Sequence, residues 1–245
     1  MNPDAPIWLD HMLVVLLAVV FPIRASTFGF RRLVMAPEVL VPTVRLSLYR
    51  QAIALQWSLA LATVVLWAWR GRTWHALGLA LRPSVGFWIS LLPIAALVAV
   101  IAARRRGALS DHEAAASVRR RLRHVERMLP HDGRELWWFL RLSVTAGVCE
   151  ELLYRGYLIW YLAHWLGVAG GAALATVVFG VGHLYQGPRG VVTTALAGGL
   201  MAVLYLASGS LYLGMVAHAL ADMHSGSLAQ AAFAMRDPAP DEPVV

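Results

Sequence analysis

An all-α, polytopic membrane bundle of about eight helices is the fold class predicted by three features of this sequence. Of its 245 residues 59% are hydrophobic and only 14% charged, with a mean hydropathy of +0.61. That is too apolar for an ordinary soluble domain of this length. The apolar residues gather into runs that approach the roughly 20 residues a helix needs to cross a bilayer. All 21 basic residues are arginines, and they flank the apolar runs instead of lining one soluble face. The net charge of +7 is therefore assigned to membrane orientation and lipid headgroup contact, and nucleic acid is not expected as a partner. The single cysteine, Cys149, excludes an intramolecular disulfide and a zinc site built from several cysteines. A cleavable signal peptide is not expected, because the first apolar run is preceded by Asp4 and Asp10 where a signal is positive.

In order, the first span is predicted over Ile7 to Ile23, with Pro22 near its end. A loop carrying Arg24, Arg31, Arg32, Arg45 and Arg50 follows, where Pro37 and Pro42 argue against one continuous helix. The second span runs from Gln51 to Trp69, and Trp57, Trp67, Trp69 and Trp74 suit interfacial positions. The third covers Val85 to Ala103, with a kink at Pro93. A polar insertion, Arg104 to Arg134, holds nine arginines and reads as a cytoplasmic, amphipathic surface segment. The fourth span contains Glu150 and Glu151. A short fifth runs from Gly156 to Leu166, a sixth from Ala172 to Leu184, a seventh from Val191 to Ala207, and an eighth from Leu211 to about Met223. The expected organisation is thus N-terminal helices over 1–135, including the insertion at 104–134, a catalytic core over 136–235, and a disordered tail over 236–245.

The chemistry concentrates in the core. Cys149-Glu150-Glu151-Leu-Leu-Tyr-Arg155-Gly156 puts two carboxylates and a guanidinium inside an apolar helix. Each costs about 2.5–3.5 kcal/mol on insertion scales, so such groups face a bundle interior or wet cavity and mark function. Adjacent helical residues diverge by about 100°, whereas i,i+4 residues meet. Glu151 therefore pairs with Arg155 and leaves Glu150 free. Phe179 and His183 repeat the i,i+4 spacing on the sixth span, and His218 and Asp222 repeat it on the eighth. Two carboxylates and two imidazoles from three helices suit the activation of water: a carboxylate takes its proton, and an imidazole orients it or binds a metal. The remaining pair can stabilise the oxyanion of a tetrahedral intermediate. Taken singly, the Glu151–Arg155 pair, Cys149 and Phe179 read as packing or structural residues, and His112, His124 and His131 as solvent-facing.

Glu150-Glu151-x-x-x-Arg155, Phe179-x-x-x-His183 and His218-x-x-x-Asp222, in this order, resemble the motifs of the CPBP intramembrane proteases (CAAX protease and bacteriocin-processing, or ABI). The relatives of that family include the Ras-converting prenyl endopeptidases. The resemblance covers Leu136 to Ser225. It implies an eight-helix fold enclosing a catalytic cavity, and an endopeptidase that cleaves near the end of a membrane-associated protein or peptide. By that analogy Glu150 is the general base acting with His183 on water, His218 and Asp222 stabilise the oxyanion, and Glu151 with Arg155 holds the site helices. The prenyl-endopeptidase branch typically has asparagine where this chain has Asp222. An ionised aspartate donates no hydrogen bond, so it is protonated, orients His218, or ligates a metal. The His-Glu-x-x-His zinc signature is absent, yet His183, His218, Glu150 and Asp222 are candidates for a divalent ion such as zinc, and that alternative stays open. The lysine-free, alanine- and arginine-rich composition is that of a GC-rich bacterial gene, with the inner membrane as its location and a C-terminal sorting segment or peptide leader as the expected substrate. A proton-relay transporter and a non-catalytic membrane scaffold are the competing readings. A transporter is expected to show internal duplication, and none stands out.

Overall fold

The structure is a computed structural model and describes residues 4–81, 83–107 and 112–235; the expected disordered tail lies outside them. Among the described residues there is no strand. Five helical segments are long and apolar enough to cross a membrane: Trp8–Val34, Glu38–Trp69, Val85–Ala103, Gly133–Val181 and Leu184–Ser208. The protein is thus an all-α membrane helix bundle. We label the helices α1 (Trp8–Val34), α2 (Val41–Trp69), α3 (Leu91–Gly107), α4 (His112–Leu122), α5 (Gly133–Glu150), α6 (Ile159–Val181), α7 (Gly187–Ser208) and α8 (Leu211–Ala234).

Several boundaries differ from those the sequence predicts. Helix α1 runs on to Val34, past the expected stop at Ile23. Pro22 does not end it because the preceding turn, Leu16–Val20, widens to π-helical geometry, with the Phe21 amide bonded to the Leu16 carbonyl. A widened turn relieves the clash that a proline ring makes with the turn before it. Helix α2 starts at Val41, ten residues before Gln51, because Pro42 sits in its first turn, where a missing N–H costs nothing. Ahead of α3, the helical turn Val85–Ile89 closes at Ser90, consistent with Pro93 having no amide to offer the Ile89 carbonyl.

The separate fourth and fifth spans are one continuous helix. Helix α5 passes through π-helical turns at Glu151–Leu158 into α6, and Gly156 is no boundary. A Cβ there would lie 2.8 Å from the Leu77 carbonyl oxygen, so Gly156 serves close approach. The chain reverses at Gly167, whose φ of 66° and ψ of 170° break the helix inside α6. The second arm returns along the first, burying Ala172, Ala175 and Phe179 against Leu153, Tyr154, Leu158 and Ile159. The count of eight spans is therefore not what the described residues show.

Two buried ion pairs tie the N-terminal helices to this core at opposite ends. At one, Arg72 donates to both oxygens of Asp10 at 2.8 and 2.7 Å, and the Tyr157 hydroxyl donates to Asp10 at 2.8 Å. The Arg72 guanidinium lies 4.2 Å from the centre of Trp160 and 5.2 Å from that of Trp67. Trp67 is fully buried there, donating to the Thr73 carbonyl, and is not interfacial as its position suggested. At the other end Arg45 pairs with Glu135, and Tyr49 donates to the Met128 carbonyl. The insertion is more than a solvated arginine surface. Arg127 caps the carbonyls of Leu33, Val34 and Ala36 at the end of α1 and pairs with Glu38, while Arg119 caps Ala232 and Met235 at the end of α8. Cations suit helix C-termini because their last carbonyls lack amide partners. His131 stacks on Phe233 with ring centres 4.4 Å apart.

Candidate active site

Asp132 caps α5 by accepting the Glu135 amide at 2.8 Å, and the helix then carries Glu150 about 26 Å from its start, at 1.5 Å per residue. Glu150 is 8% exposed and faces a cavity of about 1120 Å³. The same cavity is lined by Gln56, Arg155, Phe179, His183, His218 and Asp222. Glu150 and His183, expected to act on water, and His218 and Asp222, expected on the oxyanion side, thus line one cavity. It extends to His124, Val125 and Met128 of the segment following α4, at the end of the bundle that carries the arginine insertion.

Glu151, the next residue, points away from Glu150 and is fully buried. Its Oε1 accepts from Arg155 Nη1 at 2.9 Å, as the i,i+4 spacing predicts, and also from His218 Nδ1 at 2.8 Å. The second contact was not legible from spacing. A carboxylate only accepts, so His218 Nδ1 carries the proton, and Nε2 is the ring atom turned to the cavity. That atom lies 3.9 Å from Glu150 Oε2 and 3.7 Å from Asp222 Oδ2. Glu151, rather than Asp222, therefore sets the orientation of His218. Gly214 makes room: a Cβ there would stand 3.2 Å from Glu151 Oε2.

His183 lies just past the end of α6, its Nδ1 bonded to the Phe179 carbonyl at 2.9 Å. This leaves Nε2 of the neutral ring as an acceptor. Phe179 is more than a packing wall. Its ring centre is 4.9 Å from that of His183, 6.1 Å from that of His218, and 4.1 Å from the Arg155 guanidinium. A cation over an aromatic face is attracted by the ring quadrupole, so Phe179 braces Arg155 and separates the two imidazoles. Helix α7 approaches this cluster through Gly198, where a Cβ would meet Phe179 Cδ1 at 2.7 Å and Arg155 Nη2 at 2.8 Å.

Gln56 was missed by the motif reading. From α2 it donates Nε2 to Glu150 Oε1 at 3.0 Å, and its own Oε1 is buried without a hydrogen-bond partner among the described residues. The available signal was an amide in the middle of an otherwise apolar run. Cys149, by contrast, is buried in the core beside Trp67, Leu152 and Tyr157 and plays no part in the cavity.

Among the described residues no group of three or more histidine, cysteine, aspartate or glutamate side chains is arranged to hold a metal ion. Both Nδ1 atoms are committed, one to Glu151 and one to a backbone carbonyl, and the remaining Nε2 atoms are not gathered with the carboxylates into such a group, so no step is assigned to a metal.

Residues 132–224 match the family model of the Rce1-like proteins, type II CAAX prenyl endopeptidase Rce1-like. Over this stretch the chain is similar to the CAAX prenyl endopeptidases. That family is one of proteases, and the apolar helices of this chain fit an integral membrane protein. The matched segment contains every residue of the three motifs, whereas Gln56 lies outside it. No curated protein and no solved structure matches the chain significantly.

Proposed function

We propose that the protein is an intramembrane endopeptidase in which Glu150 and His183 activate water for attack on a peptide carbonyl. The observation that carries this reading is the convergence of Glu150, His183, His218 and Asp222 on one cavity inside the bundle. Glu150, held through one oxygen by Gln56, takes the water proton with the other. His183 Nε2, free to accept, orients the same water. The hydroxide oxygen bonds to the carbonyl carbon, and the resulting oxyanion accepts from Nε2 of His218 in its doubly protonated, imidazolium form, whose other N–H Glu151 holds from behind. When the C–N bond breaks, the proton on Glu150 passes to the departing amine and restores the carboxylate. Positioned general bases contribute roughly 10²–10⁴ in rate and oxyanion donors about 10²–10³, enough to make each of these contacts detectable by mutation.

The substrate proposed is a membrane-associated protein or peptide cleaved near one end, with a C-terminal sorting or anchoring segment or a leader removed, in the inner membrane of a bacterium. The supporting features are the membrane setting, the cavity size and the arginine-rich composition. The test compares membrane and secreted protein termini, by mass spectrometry, between cells carrying the wild-type chain and cells carrying Glu150→Gln at matched abundance. Termini seen only with the wild type are expected. Identical terminus sets, alongside a phenotype that still requires the protein, would replace hydrolysis with a relay or scaffold role.

A further inference from the structure

Apart from the active-site cavity, α2, α5 and α8 border a second, shallow groove of about 470 Å³, lined by Ile53, Trp137, Leu140, Val144 and Met223 among others. Among the described residues none lines both spaces, and no acidic residue lines the groove. Two guanidiniums stand over its tryptophans. Arg141 lies 3.4 Å from the ring centre of Trp137 and 5.3 Å from that of Trp138, and Arg50 lies 4.7 Å from that of Trp138. Both arginines are exposed, and among the described residues neither holds a hydrogen bond or an ion pair. Helices α2 and α5 run side by side in one direction here: Tyr49 meets Phe139 with ring centres 5.6 Å apart, and Trp57 Nε1 donates to Thr145 Oγ1 at 3.2 Å. No charged residue follows Arg50 in α2, and none follows Arg141 in α5 until the inward-facing Glu150. The pair therefore marks the level where both apolar runs begin, at the end of the bundle that carries the arginine insertion. Arginine and tryptophan together suit the depth of lipid headgroups, and Ile53 and Val144, one turn further along, lie on the hydrocarbon side.

We infer that this groove is a binding site for an anionic phospholipid, with Arg50 and Arg141 on its phosphate and an acyl chain along Ile53, Val144 and Met223. A guanidinium stacked on an indole keeps its in-plane N–H donors, and that planar fork matches phosphate oxygens. Stacking also fixes the direction of the fork, so less side-chain freedom is lost when the phosphate arrives. A net negative headgroup is favoured over a zwitterionic one. The indole faces beside the arginines are already occupied by cations, and two guanidiniums repel a choline ammonium placed next to them. Dissolved phosphate would engage the arginines alone. A lipid is favoured because the apolar groove continues directly from them toward the hydrocarbon. The site is independent of the hydrolytic reading, and Glu150→Gln is expected to leave it unchanged.

The test uses the full chain in non-ionic detergent, titrated with phosphatidylglycerol whose acyl chains are brominated and quench any tryptophan they touch. Brominated phosphatidylcholine is the comparison. Phosphatidylglycerol is expected to quench at about tenfold lower concentration, as charge-assisted contacts from two arginines at a membrane surface require. Arg50→Gln and Arg141→Gln should each weaken it about fivefold while leaving phosphatidylcholine quenching and thermal unfolding unchanged. Trp137→Phe should remove much of the phosphatidylglycerol-specific quenching, and Trp74→Phe, remote from the groove, should not. The site is refuted if the two lipids quench alike, if the preference survives both arginine substitutions together, or if Trp137→Phe leaves it intact. Displacement of the brominated lipid by glycerol phosphate at matched concentration refutes a lipid site and identifies one for free phosphate. Failure of either lipid to quench refutes it as well, and would assign the groove to a protein helix.

Discussion

Glu150→Gln and Glu151→Gln are adjacent, isosteric and identical in charge change, yet the structure predicts opposite consequences. Glu151 is fully buried and accepts two charge-assisted bonds, from Arg155 at 2.9 Å and His218 at 2.8 Å. A neutral amide leaves the Arg155 guanidinium without its counter-ion, and breaking a buried pair by removing one partner costs about 3–5 kcal/mol. For a chain of this length that is a fall in melting temperature on the order of 10 °C. Glu150 faces the cavity, its protein hydrogen bond comes from the neutral amide of Gln56, and His218 Nε2 stands 3.9 Å away. Its amide variant should stay within about 1 kcal/mol of wild-type stability, because no buried ion pair is broken and an amide oxygen can still accept from Gln56, while cleavage is lost. The assay is thermal unfolding of both variants in one detergent, read by tryptophan fluorescence, alongside the terminus comparison. If Glu150→Gln destabilises as much as Glu151→Gln, the division into a reactive and a structural carboxylate is wrong.

Three further outcomes follow from the packing. Gln56→Leu should lower the cleavage rate about 10–100-fold with little loss of stability, because the carboxylate loses its positioning donor while the buried unsatisfied Oε1 is also removed; Gln56→Asn, with a shorter reach, should be intermediate. Gly198→Val places atoms where Phe179 Cδ1 and Arg155 Nη2 stand 2.7 and 2.8 Å from a Cβ, and should cost about 1–3 kcal/mol of stability together with activity, measured by unfolding and terminus analysis. Asp10→Leu should lose about 3–5 kcal/mol by removing the carboxylate that pairs with the buried Arg72, and adding Arg72→Met should recover much of it, as a double-mutant cycle in unfolding free energy would report.

The sequence by itself determined the parts of this protein that depend on local geometry. Apolar run lengths specified an all-helical membrane bundle, and i,i+4 spacing paired Glu151 with Arg155 and put His218 and Asp222 on the same side of α8. Helix boundaries were less legible where local rules compete. Pro22 reads as a stop, but a π-helical turn absorbs it; Gly156 reads as a break, but it is a contact point for Leu77. Tertiary structure decided what lies beyond one helical turn. Gln56 reaches Glu150 across 94 positions of sequence, and Glu151 reaches His218 across 67. It likewise took Trp67 from the interface into the core and turned two insertion arginines into helix caps. The reason is physical. Spacing on one helix is set by backbone geometry that every sequence shares, whereas contacts between helices depend on how side-chain volumes and buried charges are satisfied together, and that is settled only when the whole bundle packs.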